Sequence, residues 1–125
     1  MVEVIDTGIA RSKAPVNGTV RAGDRVFTTH VPKDPKTGEI VEGDMTTQAR
    51  RLFENMKMSL EAAGGSMADL VSVLVFMTDE SEFEAMNAVY REYVPEPYPT
   101  RATVVVRALI GGKARIEVQA HAWVK

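Results

Sequence analysis

The chain has 125 residues, a formal net charge of −2 and no cysteine. This length predicts one domain over residues 1–125, and the lack of cysteine excludes disulfides, thiol nucleophiles and cysteine-based metal sites. Because His30 and His121 are the only histidines, we expect no metal site. The acidic balance gives no electrostatic basis for binding nucleic acid. No apolar run is long enough for a membrane span and no signal peptide is evident, so we expect a cytoplasmic protein.

The N-terminal third of the chain predicts strands followed by a loop. Residues 2–7 alternate apolar and polar side chains like a short strand. Residues 19–21 and 25–29 predict a hairpin that turns at Gly23. Residues 32–43 contain two prolines and two glycines, which predicts a loop or lid rather than regular structure.

A long amphipathic helix is the clearest element in the sequence. It begins after Asp44, a good N-cap, and ends at Gly64 and Gly65, because glycine adopts the left-handed C-cap conformation freely. Residues at helical spacing form its apolar face: Met45, Ala49, Leu52, Phe53, Met56, Leu60 and Ala63.

A buried strand and a second helix follow. Residues 66–69 predict a turn, and residues 70–77 form a continuous apolar run typical of a buried strand. Asp79 or Ser81 caps the second helix. The apolar positions of that helix are Phe83, Met86, Val89, Tyr90 and Tyr93.

Arg101 opens the next strand, directly after a proline-rich approach. Side chains alternate along a strand, so Arg101 and Thr103 share one face. A guanidinium fixed at a strand end presents a planar fork of donors that suits a carboxylate or phosphate. The alternative is an ordinary solvated arginine at the end of a strand.

The last strand, residues 115–124, has one apolar and one polar face. If the Arg101 strand pairs with it across a hairpin at Gly111 and Gly112, the polar residues of both strands share one sheet face. The apolar face then meets two helices, and the other face is left bare near Val26, Val105 and Trp123. An uncovered sheet face usually packs against another subunit, so we expect a symmetric oligomer.

Several local motifs together point to a known family. The most specific is the pattern Pro-x-Arg-x-x-Val-x-Val over residues 99–106. The others are the turn at residues 22–24, the loop at 35–40, Gln48 with residues 60–64, residues 73–79, Phe83 with residues 86–90, and residues 116–118. Over nearly its whole length the chain resembles the YjgF/Rid family of enamine and imine deaminases.

The resemblance implies a fold, an assembly and a reaction. The implied fold is α+β and chorismate-mutase-like, with a mixed sheet and two helices packed on one face. The implied assembly is a homotrimer with a central barrel and three clefts between subunits. In the family, the arginine matching Arg101 binds the carboxylate of small imino acids. Water then attacks the C=N carbon, and ammonia departs to give a 2-keto acid as the product. No metal or organic cofactor is implied.

The chain departs from the family pattern at four places near the implied cleft. Gln119 stands where the deaminases usually have a glutamate that positions or activates water. Val16 replaces a common tyrosine, and Thr103 replaces a frequent cysteine. The Ser-Gly-Gln pattern after the third strand reads Thr28-Thr29-His30. These changes predict an altered substrate or a changed activity.

The predicted site therefore consists of Arg101 with its substituted neighbours. Gln119 can orient water but cannot accept a proton at neutral pH, so His30 is the candidate base. The alternative for His30 is a surface or interface histidine at a strand end. Asn87 and Thr103 are candidate substrate contacts. The alternative for Asn87 is a buried helix-cap or interface amide, and the alternative for Thr103 is ordinary strand preference. Thr28, Thr29 and Val16 complete the predicted substrate-binding set.

Two further residues share the polar face of the last strand. Glu117 is the first of them, and the alternative to a role at the site is a cross-strand salt bridge with Arg107 or Arg115. His121 faces the same way and is expected in the trimer interior.

Two classes of function stay open at this level. The first is a hydrolase acting on the imine or enamine of a small carboxylic acid, which includes a 2-aminomuconate-type substrate. The second is a non-catalytic trimer that binds small carboxylates or acts as a chaperone or regulator. A ribonuclease role is a third possibility that the acidic charge disfavours.

Overall fold

The computed structural model describes residues 1–125 and contains a six-stranded mixed sheet with two helices on one face. The predicted α+β architecture is confirmed. Neither helix combines the length and the apolar character that a membrane span requires. The elements are β1 (Glu3–Val4), β2 (Thr19–Ala22), β3 (Arg25–His30), α1 (Met45–Ala62), β4 (Leu70–Met77), α2 (Phe83–Tyr93), β5 (Thr100–Val105) and β6 (Ile116–Trp123).

The strand order is β1-β2-β3-β6-β4-β5, so the last strand lies in the middle of the sheet. It pairs antiparallel with β3 on one side and with β4 on the other. The expected hairpin between β5 and β6 is wrong. β5 instead lies at the sheet edge, where it runs parallel to β4, and α2 provides the crossover that a parallel pair requires.

The core lies between the helices and one face of this sheet. Alternate residues of β6 point into it, and Ile116, Val118 and Ala120 are fully buried there. Val26, expected near the bare face, is also fully buried on the helix side. Val105 also lies on the helix side, since it pairs with buried Met77.

The opposite face of the sheet is open in the single chain. Val104 and Trp123 are exposed there, and the guanidinium carbon of Arg25 lies 5.7 Å from the centroid of the Trp123 ring. Phe27 and His121 pack edge to face on the same side. A second subunit is predicted to pack on this face.

The ends of the helices follow their capping residues. Asp44 accepts a hydrogen bond from the backbone N–H of Thr47 at 2.9 Å and starts α1 where predicted. Asp79 caps a 3-10 turn, residues Glu80–Glu82, which leads into α2 without a side-chain cap of its own. The first strand is shorter than expected, because only Glu3–Val4 pairs with β2.

Gln48 on α1 connects the loop before that helix to the turn before β6. Its Nε2 donates to the carbonyls of Val41 and Lys113, both at 3.0 Å, and its Oε1 accepts from the backbone N–H of Arg115 at 2.7 Å. The side chain is 1% exposed, so water cannot replace these bonds. Gln48 therefore fixes the turn that leads into β6.

Replacing Gln48 by alanine is expected to lower the free energy of unfolding by about 3 kcal/mol, because three hydrogen bonds are lost and their partners stay buried. Urea denaturation at fixed protein concentration measures this change. Arg50→Ala, on the exposed side of the same helix, serves as the control and should change stability by less than about 0.5 kcal/mol. Equal effects of the two substitutions would contradict this role of Gln48.

Candidate functional site

Arg101 lies on the helix side of the sheet, at the start of the edge strand β5. It is aligned with Val73 of β4, which is buried against the helices, and this register turns the arginine toward α2. Nη2 of Arg101 donates to Oδ1 of Asn87 at 2.8 Å. The guanidinium carbon lies 4.5 Å from the ring centroid of Tyr90 and 5.8 Å from that of Phe83.

These contacts hold the guanidinium in place without neutralising it. The hydrogen bond to Asn87 uses one of its five N–H donors. The ion pairs of the chain join other residues: Arg50 with Glu92 and Arg115 with Glu82. A half-buried, oriented cation that lacks a carboxylate partner is suited to bind an anionic ligand.

Thr103 lies on the same face of β5, two residues after the arginine. It is aligned with buried Val75 and is itself half-buried. Together, Arg101, Asn87 and Thr103 form one group of the predicted site residues, here called the arginine group.

A second group lines a cleft of about 710 Å³ at the other side of the molecule. This N-terminal cleft lies between the segment of residues 4–19 and the region where β3 ends and β6 begins. It brings together four predicted residues, which are Val16, Thr29, His30 and Gln119. Val16 is exposed at its rim, and Thr29 is paired with Gln119 across the two strands.

His30 is a buried member of a chain of polar side chains. Its Nε2 is 2.6 Å from Oγ1 of Thr28, which in turn lies 2.8 Å from Oγ1 of Thr19. Burial, aided by the charge of Lys33, lowers the pKa of His30 from 6.5 to about 3. The imidazole is therefore neutral at physiological pH and is too weak a base to take a proton from water. This environment favours a structural hydrogen-bonding role for Thr28 and His30 rather than general base catalysis.

Glu117 also lines the N-terminal cleft, although it was not among the principal predicted site residues. It shares the face of β6 that carries Gln119, and burial raises the pKa of its carboxyl. The salt bridge with Arg115 considered from the sequence does not form, because Arg115 pairs with Glu82 at 2.7 Å. The alternation along β6 is the sequence signal that places Glu117 beside Gln119.

Gln119 of the N-terminal cleft lies on the face of the sheet opposite to the arginine group, whereas His30, aligned with buried Val118, lies on the helix side. Arg101 is aligned through Val73 with Ala120, which points into the core, whereas Gln119 points to the open face. The strand β4 also separates β5 from β6, which adds about 10 Å between them. One small ligand cannot contact both groups of a single chain.

No three His, Cys, Asp or Glu side chains come together in a way that would hold a metal ion. The side chains of the two groups offer hydrogen bonding, charge stabilisation by Arg101, and proton exchange with a carboxyl group.

Comparisons with known proteins place the chain in a family. The family described as endoribonuclease L-PSP, which includes the YjgF and Rid proteins, matches residues 9–124. The chain belongs to the YjgF/Rid family. A RutC family protein of Pyrococcus horikoshii is 42% identical over 125 residues, which cover 98% of each chain. The resemblance stated from the sequence motifs is confirmed.

Other members of the YjgF/Rid family are similar in sequence and in structure. The 2-iminobutanoate/2-iminopropanoate deaminase of Dermatophagoides farinae is 33% identical over 118 residues, covering 93% of this chain and 91% of the relative. The crystal structure of RidA from an Antarctic Psychrobacter bacterium superposes with a TM-score of 0.90 at 35% identity. That superposition covers 98% of this chain and 99% of the other, so the Rid fold extends over the whole chain.

Proposed function

We propose that this protein is an imine or enamine deaminase that hydrolyses the C=N bond of a small imino carboxylic acid. Arg101 binds the substrate carboxylate. The observation that carries the proposal is the half-buried guanidinium, held by Asn87 and two aromatic rings with no carboxylate partner in the chain. The relationship to a 2-iminobutanoate/2-iminopropanoate deaminase supports the class of substrate.

The reaction needs a positioned carboxylate, a water molecule and a way to move protons. Arg101 fixes the carboxylate through a bidentate contact, and Thr103 contributes a hydroxyl beside it. Gln119 orients the attacking water with its side-chain amide, and ammonia leaves from the resulting carbinolamine to give a keto acid. Because imine hydrolysis is intrinsically easy, orientation supplies much of the rate increase.

The proposed site is shared between subunits of a homotrimer. Since Arg101 and Gln119 of one chain lie on opposite faces of the sheet and are separated by β4, a ligand contacts Arg101, Asn87 and Thr103 of one copy and the cleft of the next. The open sheet face with exposed Val104 and Trp123 is the surface that the trimer covers.

A non-catalytic role is the second candidate. Gln119 cannot accept a proton, and burial makes His30, the predicted base, a weak base, which supports this second role. A trimer that only binds small carboxylates, as a regulator or chaperone, would retain the arginine group and release no ammonia.

Ammonia release distinguishes the two candidates. We expect the purified protein to accelerate hydrolysis of 2-iminopropanoate modestly, by about tenfold to 100-fold over buffer, because orientation and the carboxylate contact remain. A coupled assay of ammonia measures the rate, with a 2-aminomuconate-type enamine as the alternative substrate. If pyruvate binds in calorimetry but no imine or enamine is hydrolysed, the protein is a carboxylate-binding module and the deaminase proposal is wrong.

A further inference from the structure

Lys33 is a cation of the N-terminal cleft that has no acidic partner. It lines the cleft near His30 and is half-buried. The ion pairs of the chain join other residues. Burial lowers the pKa of the Lys33 ammonium group, and no nearby carboxylate opposes that change. Because a partly buried charge without a counter-charge is costly for the folded chain, an anionic group in the cleft would stabilise it.

The position of Lys33 is fixed by contacts that leave part of its ammonium group free. Nδ2 of Asn55, a fully buried residue of α1, donates to the backbone carbonyl of Lys33 at 2.8 Å. Nζ of Lys33 donates to the carbonyl of Ala10, which leaves two of its three N–H donors for a ligand. The adjacent Asp34 does not pair with the lysine. Its Oδ1 instead accepts from the backbone N–H of Lys36 at 2.8 Å.

Ser59 adds an unpartnered hydroxyl to the same cleft. It lies on α1, is fully buried, and lines the cleft together with Lys33 and His30. Its Oγ has no hydrogen-bond partner in the chain. Burying a hydroxyl without a partner destabilises the fold, so this group needs a partner from outside the chain. Because no hydrogen bond holds the hydroxyl, rotation about one side-chain torsion can present its O–H to a group in the cleft.

His30 supplies a neutral donor next to these two groups. Its Nε2 lies 2.6 Å from Oγ1 of Thr28, which lies 2.8 Å from Oγ1 of Thr19. When each threonine donates toward the histidine, Nε2 is the acceptor and Nδ1 carries the ring hydrogen. Nδ1 has no hydrogen-bond partner in the chain, so this N–H is available to a ligand.

The acidic residues of the cleft lie apart from these donors. Glu117 is on the open face of the sheet, whereas His30, aligned with buried Val118, is on the helix side. Asp6 is exposed in the N-terminal segment and accepts from a backbone N–H at 3.1 Å. Neither carboxylate forms an ion pair with Lys33. The helix-side end of the cleft therefore offers donors and a positive charge, which together suit an anion.

We propose that Lys33, Ser59 and His30 form a subsite for a second carboxylate, so that the preferred substrates are imino or enamino dicarboxylic acids. This inference rests on the carboxylate site of the proposed function, because Arg101 of a neighbouring copy binds the first carboxylate. Lys33 supplies the opposite charge, and the hydroxyl and the ring N–H supply two further donors. A carboxylate has about four lone-pair positions, so it can accept all of these bonds.

The test measures binding of keto acids, the products of the proposed reaction, by titration calorimetry. Each dicarboxylate is paired with a monocarboxylate of equal chain length: 2-oxoglutarate with 2-oxopentanoate, and 2-oxoadipate with 2-oxohexanoate. We expect the wild type to bind at least one dicarboxylate about tenfold more tightly than its partner, because the second carboxylate gains a charge-assisted contact. Two lengths are compared because the distance between Arg101 and the subsite decides which one fits.

Four variants assign this preference to the subsite. Lys33→Gln should abolish the preference for the dicarboxylate, and Lys33→Arg, which keeps the charge, should retain part of it. Lys36→Gln removes an exposed cation of the same loop and is the matched control, with the preference of the wild type. Ser59→Ala should lower the preference about threefold without lowering the melting temperature, since the folded chain loses no hydrogen bond. A hydroxyl with a purely structural role would instead lower the melting temperature and leave the preference unchanged.

The outcomes separate this inference from the proposed function. A preference that Lys33→Gln removes, found together with no ammonia release from imines or enamines, supports the subsite and overturns the deaminase. Equal binding within both pairs, or a preference that Lys33→Gln keeps, overturns the subsite and leaves ammonia release to decide the deaminase. A wild type that binds none of these keto acids also overturns the subsite. If Lys33→Gln does not fold, Lys33→Met keeps the aliphatic stem and is judged by the same criteria.

Discussion

Replacing Arg101 by alanine will lower kcat/KM for 2-iminopropanoate by about 100-fold or more, since losing a charge-assisted bidentate contact in a half-buried site costs about 3 kcal/mol. The same variant will lose binding of pyruvate in calorimetry. Arg101→Lys keeps the charge but not the planar fork, so it should fall between wild type and Arg101→Ala. Asn87→Ala should weaken binding less, because Asn87 positions the guanidinium without carrying charge.

Stability and assembly measurements accompany this prediction. Arg101 is stacked on Tyr90, and its removal exposes part of that ring, so thermal melting has to show that the variant is folded. Arg50→Ala, which removes an exposed cation paired with Glu92, is the matched control and should leave kcat/KM unchanged. If wild type and Arg101→Ala release ammonia equally fast, Arg101 is not the carboxylate clamp.

His30 will make the protein less stable as the pH falls toward 5. The pKa of His30 is about 3 in the folded chain, and its ordinary value of 6.5 applies to the unfolded chain. Between these two pH values the unfolded chain therefore binds one more proton than the folded chain. Stability therefore decreases as pH decreases. From about pH 7.5 to about pH 5 the expected loss is about 2 kcal/mol, at about 1.4 kcal/mol per pH unit below 6.5.

The comparison with His30→Gln isolates this contribution. Glutamine keeps a hydrogen-bonding side chain near Thr28 but does not titrate, so urea denaturation at fixed chain concentration should show the pH dependence reduced in this variant. The raised pKa of Glu117 acts with the opposite sign and cancels because both proteins contain it. Identical pH dependence in wild type and His30→Gln would contradict the buried neutral imidazole.

Local sequence signals predicted most of the fold because they depend on neighbouring residues. The strand over residues 70–77 and the N-cap at Asp44 are found as predicted, since apolar continuity and capping act within a few positions. The pairing of β5 was predicted incorrectly. A short turn at Gly111 and Gly112 suggested a hairpin, but strand order depends on long-range packing, and the crossover through α2 places β5 beside β4.

Dependence on long-range packing also limited the prediction of the site. The expected hairpin placed the polar residues of both strands on one sheet face, whereas the register through Val73 turns Arg101 to the helix side and leaves Gln119 on the other. Burial of His30 is likewise a tertiary property, because its place at a strand end resembles that of an exposed residue. Glu117 was visible in the alternation of β6, but the pairing of Arg115 with Glu82 is a long-range contact that the alternation does not reveal.

The separation of the arginine group from the N-terminal cleft has a consequence for mixed populations of chains. In the proposed homotrimer every chain contributes Arg101 to the site shared with one neighbour and its N-terminal cleft to the site shared with the other. A chain that lacks Arg101 disables a single site of the ring, while a chain damaged on both sides disables two. Two inactive proteins, one altered at Arg101 and one in the cleft, can therefore complement each other when their chains assemble together.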